Sequence, residues 1–131
     1  MAQPITISTK QFIKTKEVEI DGYTYSVRKM GAGTSLDVSK NMGELQNLRT
    51  NFVNLQGKMK ATGDKRKQKA LMGEIQELSG SLKKIIGEIE VAYASLFDDH
   101  KDGSVALKMV HEVGFENIPA MLTQIFGESD A

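Results

Sequence analysis

The sequence contains no cysteine. That single absence removes thiol catalysis, thiolate metal sites and a disulfide scaffold together. Aromatic residues make up only 6% of the 131 positions. No nucleophile-elbow sequence is present, and Gly31-Ala32-Gly33 lacks the further glycine and lysine of a phosphate-cradling loop. With few aromatics and no catalytic motif, the expectation is a protein that is not an enzyme and uses no cofactor. No apolar run approaches membrane-spanning length, and the start, MAQPITISTKQF, lacks the basic-then-apolar pattern of a signal peptide. The expected location is the cytoplasm. Net charge is also missing, with 17 basic and 17 acidic side chains.

That neutrality hides an uneven distribution. Residues 1–69 carry 13 basic and 6 acidic side chains, whereas residues 70–131 carry 4 basic and 11 acidic. Two electrical ends of opposite sign favour head-to-tail association of copies.

One stretch, EVEIDGYTYSVRKM at 17–30, reads as β-structure. Asp21-Gly22 is a two-residue turn signal, because a type I′ turn needs positive φ at both central positions. With the turn there, Val18, Ile20, Tyr23, Tyr25 and Val27 share one face and Glu17, Glu19, Thr24 and Ser26 the other. A two-stranded hairpin is marginal alone in water, so its aromatic face needs a cover, which the chain's own helices can supply. Residues 1–16 read as irregular, with short apolar pieces at Ile5, Ile7, Phe12 and Ile13 that could add a strand or a helical turn.

The rest reads as helix. Thr34 or Ser35 can cap a helix in which Val38, Met42, Leu45, Leu48, Phe52, Leu55 and Met59 recur at spacings of three and four. KATGDKRKQK at 60–69 interrupts that pattern. It resumes as Leu71, Ile75, Leu78, Leu82, Ile85, Ile89, Ala92 and Leu96. Two such helices, near 35–60 and 66–97, make an antiparallel hairpin. DDHKDGS at 98–104 ends it, with Ser104 as a cap for a short helix closed by Gly114. A last helix follows Asn117, with Pro119 in its first turn, Gly127 beyond its end and Ile118, Leu122 and Ile125 along one side. Met121 and Phe126 widen that stripe. The expected fold is mainly α and a single domain over 1–131. Within it, a front segment at 1–33 carries the β-hairpin, a helical hairpin spans 34–97, and an acidic helical segment with short C-terminal helices spans 98–131.

Three constellations have both sharp and plain readings. Asp98, His100, Asp102 and Gly103 match positions 1, 3, 5 and 6 of a calcium-binding loop, but position 12 is Met109 where a bidentate Glu is required. An acidic turn between helices is the better reading. His111-Glu112 is half of a zinc-protease motif without its second histidine. Lys58, Lys60, Lys65, Arg66, Lys67 and Lys69 cluster at the hairpin tip. A neutral chain with no aromatic interleaved among them favours a solvated turn over nucleic-acid binding.

The glycines are more unusual. Gly73, Gly80 and Gly87 recur every seven residues on the far side of the second helix from its apolar seam, Ala94 continues the series, and Gly43, Thr50 and Gly57 hold the equivalent positions in the first helix. Each glycine in a helix interior costs about 1 kcal/mol relative to alanine, so the three in the second helix cost roughly 3 kcal/mol. One reading is tolerance by tertiary packing. The other is a smooth face for the close approach of another helix.

The order of parts, with V-x-I-D-G-x-x-Y-x-V-R-K-M leading straight into a helix, resembles the tail assembly chaperones of long-tailed bacteriophages and prophages. The likeness is strongest over 14–45 and generic over 46–131. What the resemblance implies is a non-catalytic protein of the infected host's cytoplasm, absent from the finished virion. It would bind the long helical tape-measure protein, keep it soluble and assist tail-tube polymerisation. That family has no active-site motif. Seven methionines, which adapt to varied partners, and the small-residue faces suit such a role. The candidate partner-binding residues are Gly73, Gly80, Gly87, Ala94, Tyr23, Tyr25, Ile118, Leu122 and Ile125, and homo-oligomers are expected too. Two other classes fit the same features: a structural adaptor retained in an assembly, and a small nucleic-acid-binding regulator.

Overall fold

Asp21 and Gly22 both take positive φ, 51° and 81°, in the computed structural model, which describes residues 3–8 and 14–127. The turn therefore closes where the sequence places it. Strand β1 (Thr15–Ile20) pairs antiparallel with β2 (Tyr23–Arg28), matching Ile20 to Tyr23, Glu19 to Thr24 and Val18 to Tyr25. Beyond the hairpin come helices α1 (Ala32–Ala61) and α2 (Lys65–Ala94), strand β3 (Phe97–Asp98), and helices α3 (Ser104–Val113) and α4 (Ile118–Phe126). Ile5 and Ile7 lie in backbone without regular structure, while Phe12 and Ile13 fall outside the described residues.

The chain forms two compact units, Met1–Gly31 with Tyr93–Ala131, and Ala32–Ala92. The front and C-terminal segments, separate along the sequence, thus belong to one unit. Its sheet has the order β1-β2-β3, and β3 supplies the main correction to the sequence reading. The second helix ends at Ala94 instead of running to 97. Leu96 and Phe97 continue the apolar spacing, but the chain turns there because β2 offers it a strand partner. Val27 pairs with Phe97 and Ser26 with Asp98, while the Arg28 amide donates to the Leu96 carbonyl at 3.0 Å. Phe97 then meets Tyr25 edge-on, with ring centroids 6.1 Å apart.

The aromatic face of the hairpin is covered inside this unit. Tyr25 and Val27 are buried with Leu96, Phe97, Ala106, Met109, Val110, Phe115, Ile118 and Phe126. Lys16 lies on that same face: its ammonium donates to the Ile125 carbonyl at 3.1 Å and sits over the Phe126 ring. Gly114 and Gly127 end α3 and α4 with φ of 89° and 81°, a region that glycine enters without steric cost.

The second unit is a hairpin of two 30-residue helices, each about 45 Å long. Helix α1 starts at Ala32, so Thr34 and Ser35 lie inside its first turn and not before it. Asp64 starts α2, accepting the Arg66 amide at 2.9 Å. Leu45 and Ile89 are fully buried. Towards the tip the seam is only half covered, at Phe52, Leu55, Met59, Leu71, Ile75, Leu78 and Leu82. Two helices can shield only the sides they turn to each other, so this stripe keeps apolar area in water.

Candidate functional site

The acidic turn at 98–104 is built as a helix cap. Asp99 is 1% exposed. One of its oxygens accepts the amides of Lys101 and Gly103 at 2.9 and 3.1 Å, and the other accepts those of Val105 and Ala106 at 3.0 and 3.1 Å. Burial alone would raise its pKa, but the four backbone N–H groups outweigh that and hold the carboxyl below its ordinary range. Asp102 is held low as well, first by the Ser104 hydroxyl at 2.6 Å and then by the Ser104 amide at 3.0 Å. Asp98 accepts the His100 amide at 2.8 Å. Ser104 is therefore not the cap of α3. Asp99 and Asp102 satisfy its free amides, Asp99 through four backbone donors and Asp102 through the Ser104 amide together with the Ser104 hydroxyl.

One polar cluster has the residue types of a hydrolytic triad. Ser26 Oγ lies 3.3 Å from His100 Nε2, and His100 Nδ1 lies 3.9 Å from Asp98 Oδ2. The Ser26 hydroxyl, however, donates to Glu17 and not to the imidazole. A serine that gives its proton to a carboxylate in this way is not arranged for abstraction by histidine. All three ionisable partners are at least half exposed, at 51% for His100, 64% for Glu17 and 66% for Asp98. An ion cluster this wet adds little stability.

The candidate contact residues divide sharply by exposure. Gly73 and Gly80 are exposed and Gly87 half-buried. A Cβ added at any of the three, or at Gly43 and Gly57, would meet nothing within 4 Å. Ala94 departs from the series, being 9% exposed at the end of α2. Tyr25 and Ile118, at 2% and 0% exposure, are core residues and offer no free surface in this conformation. Burial raises the Tyr25 pKa, with the Tyr23 phenol adding to the shift. Tyr23 is half-buried, donating its hydroxyl to the Asp99 carbonyl at 2.5 Å and standing 5.0 Å from the Tyr25 ring. Leu122 and Ile125 are half-buried along α4.

Two grooves accompany these residues. In the helical hairpin, a groove of about 450 Å³ has Leu55 and Leu78 in its lining with Asn51, Asn54, Glu74 and Glu77 around them. In the other unit, one of about 310 Å³ lies between the hairpin strands and α3, with Ile20, Tyr23, Tyr25, Val105, Met109 and Val113 in its lining and the charged Asp21, Lys108 and Glu112 beside them. The six basic side chains of the hairpin tip are all exposed. Among the described residues no three His, Cys, Asp or Glu side chains converge as a metal site, and no helix is long and apolar enough to cross a membrane.

Sequence reasoning missed Asp99 as the organiser of the turn. A signal was present, since an aspartate shortly before a helix start is a capping residue type. Comparison with protein-family models, curated proteins and solved structures gives no match.

Proposed function

We propose that this chain is a non-catalytic chaperone for a long helical partner, of the kind that prepares a phage tape-measure protein for tail-tube assembly in the host cytoplasm. The observation that carries the reading is the helical hairpin. Its seam from Phe52 to Leu82 is only half covered, and on the far side of α2 from that seam the glycines leave open space where a third helix backbone could approach. Helices that lack a partner on their apolar stripe gain most from one supplied by another chain. Partial burial also suits a transient role. The chain holds its own fold while offering a client modest apolar area that tail-tube subunits can displace.

Co-expression is the test. A tape-measure protein that is insoluble alone should stay soluble with this chain and co-purify with it, and finished particles should lack the chain. A client that stays insoluble contradicts the reading. Recovery of the chain in purified particles would favour a structural adaptor instead. Salt-sensitive binding to nucleic acid, lost when Lys65, Arg66 and Lys67 are neutralised, would favour a regulator.

A further inference from the structure

Among the described residues the outer edge of β1 is open. Residues flanking a two-residue turn exchange hydrogen bonds, and bonded pairs alternate along an antiparallel ladder. Ile20 pairs with Tyr23, so Lys16, Val18 and Ile20 direct their backbone groups to β2 while Thr15, Glu17 and Glu19 direct theirs outward. The sheet order β1-β2-β3 places no strand beyond β1 among the described residues. An unpaired edge of this length is a template for another strand.

Residues 3–8, QPITIS, have the chemistry of that strand. They form no regular structure, and Ile5 and Ile7 are 88% and 64% exposed. Their alternation puts both isoleucines on one side and Thr6 and Ser8 on the other. Set antiparallel with Ile7 opposite Val18, the segment brings Ile5 opposite Ile20, at the groove lined by Tyr23 and Met109. Thr6 and Ser8 then stand opposite Glu19 and Glu17. Pro4 falls beyond the strand end, where its missing N–H costs no ladder bond. Charge is compatible, because residues 4–8 carry no acidic side chain to set against the two glutamates of the open edge. Pairing β1 with another β1 would instead bring glutamates together.

We propose that residues 4–8 of one copy add as an antiparallel strand to the open edge of β1 in a second copy, with reciprocal exchange closing a two-fold dimer. The donor is a second copy because TKQFIK, at 9–14, contains none of the Gly, Pro, Asn or Asp residues that a return within one chain would call on. This inference is independent of client binding.

The absence of native cysteine makes the test direct. Opposite residues of such a pair have Cβ atoms about 4.5–5.5 Å apart, near enough for a disulfide after a small adjustment. Chains carrying Ile7→Cys, mixed with chains carrying Val18→Cys and mildly oxidised, should give mainly the mixed 7–18 dimer. The double variant should run as a covalent dimer on a non-reducing gel. Equal yields of all three pairings overturn the strand register, and an internally linked monomer overturns the choice of a second copy. In sedimentation, I5D/I7D should weaken self-association by about tenfold or more, the scale of one buried aliphatic side chain, with its melting temperature at high dilution unchanged. A wild-type chain that stays monomeric at high concentration, or a variant with a lowered melting temperature at high dilution, contradicts the proposal.

Discussion

Asp99 lies under the start of α3 with both oxygens committed to backbone amides. An asparagine there can accept through one oxygen only, so at least two amides lose their partner. Asp99→Asn should therefore lower the melting temperature although the side chain's shape barely changes. The pH dependence has a definite sign. A depressed carboxyl pKa contributes stability that is fully present above the unfolded value, about 3.9, and is lost as pH falls through the lower folded value. Thermal melts followed by circular dichroism between pH 2 and 7 should show the wild type losing stability below about pH 4, with a shallower loss in Asp99→Asn. Equal slopes would remove Asp99 from the account. The role was hard to read in DDHKDGS, where three aspartates look alike. Only the fold sets Asp99 apart, by burying it while Asp98 and Asp102 stay in water.

At the scale of elements, local chemistry decided most of what the sequence made legible. The hairpin register followed from a strict period of two and from Asp21-Gly22, whose positive φ values the turn requires. The seams of α1 and α2 followed from spacings of three and four. Strand β3 was not legible, because two residues carry no period and Leu96 extends the helical spacing. What ends α2 is a contact distant in sequence, from Phe97 to Val27. The contact surface was legible only in part. Spacing located the open glycines, but no pattern separates a half-buried Tyr23 from a buried Tyr25. The other end of α2 depends on a local feature again, Asp64 capping Arg66. Asp64→Ala should cost about 1 kcal/mol, the usual effect of losing an N-cap, and should fray the first turn of α2. Amide exchange at Arg66–Gln68 reads this directly, and unchanged exchange there would contradict it.

Over the whole molecule, the two units divide the work differently. The unit of Met1–Gly31 with Tyr93–Ala131 holds most of the fully buried side chains, whereas Ala32–Ala92 keeps its tip seam half exposed. The glycines weaken a helix whose seam already lacks cover, and among the described residues no neighbouring element comes within 4 Å of a Cβ added at them. The proposed client helix would account for the glycine face, which lies on the far side of α2 from the seam. Replacing Gly73, Gly80 and Gly87 together by alanine tests this most directly. No atom lies within 4 Å of the added methyls, so α2 should gain up to roughly 3 kcal/mol. The same methyls should hold a client backbone away. Two quantities are read on one variant: its melting temperature alone, and the amount of soluble tape-measure protein recovered on co-expression. The account predicts a higher melting temperature with lower recovery, and a higher melting temperature with undiminished recovery would contradict it.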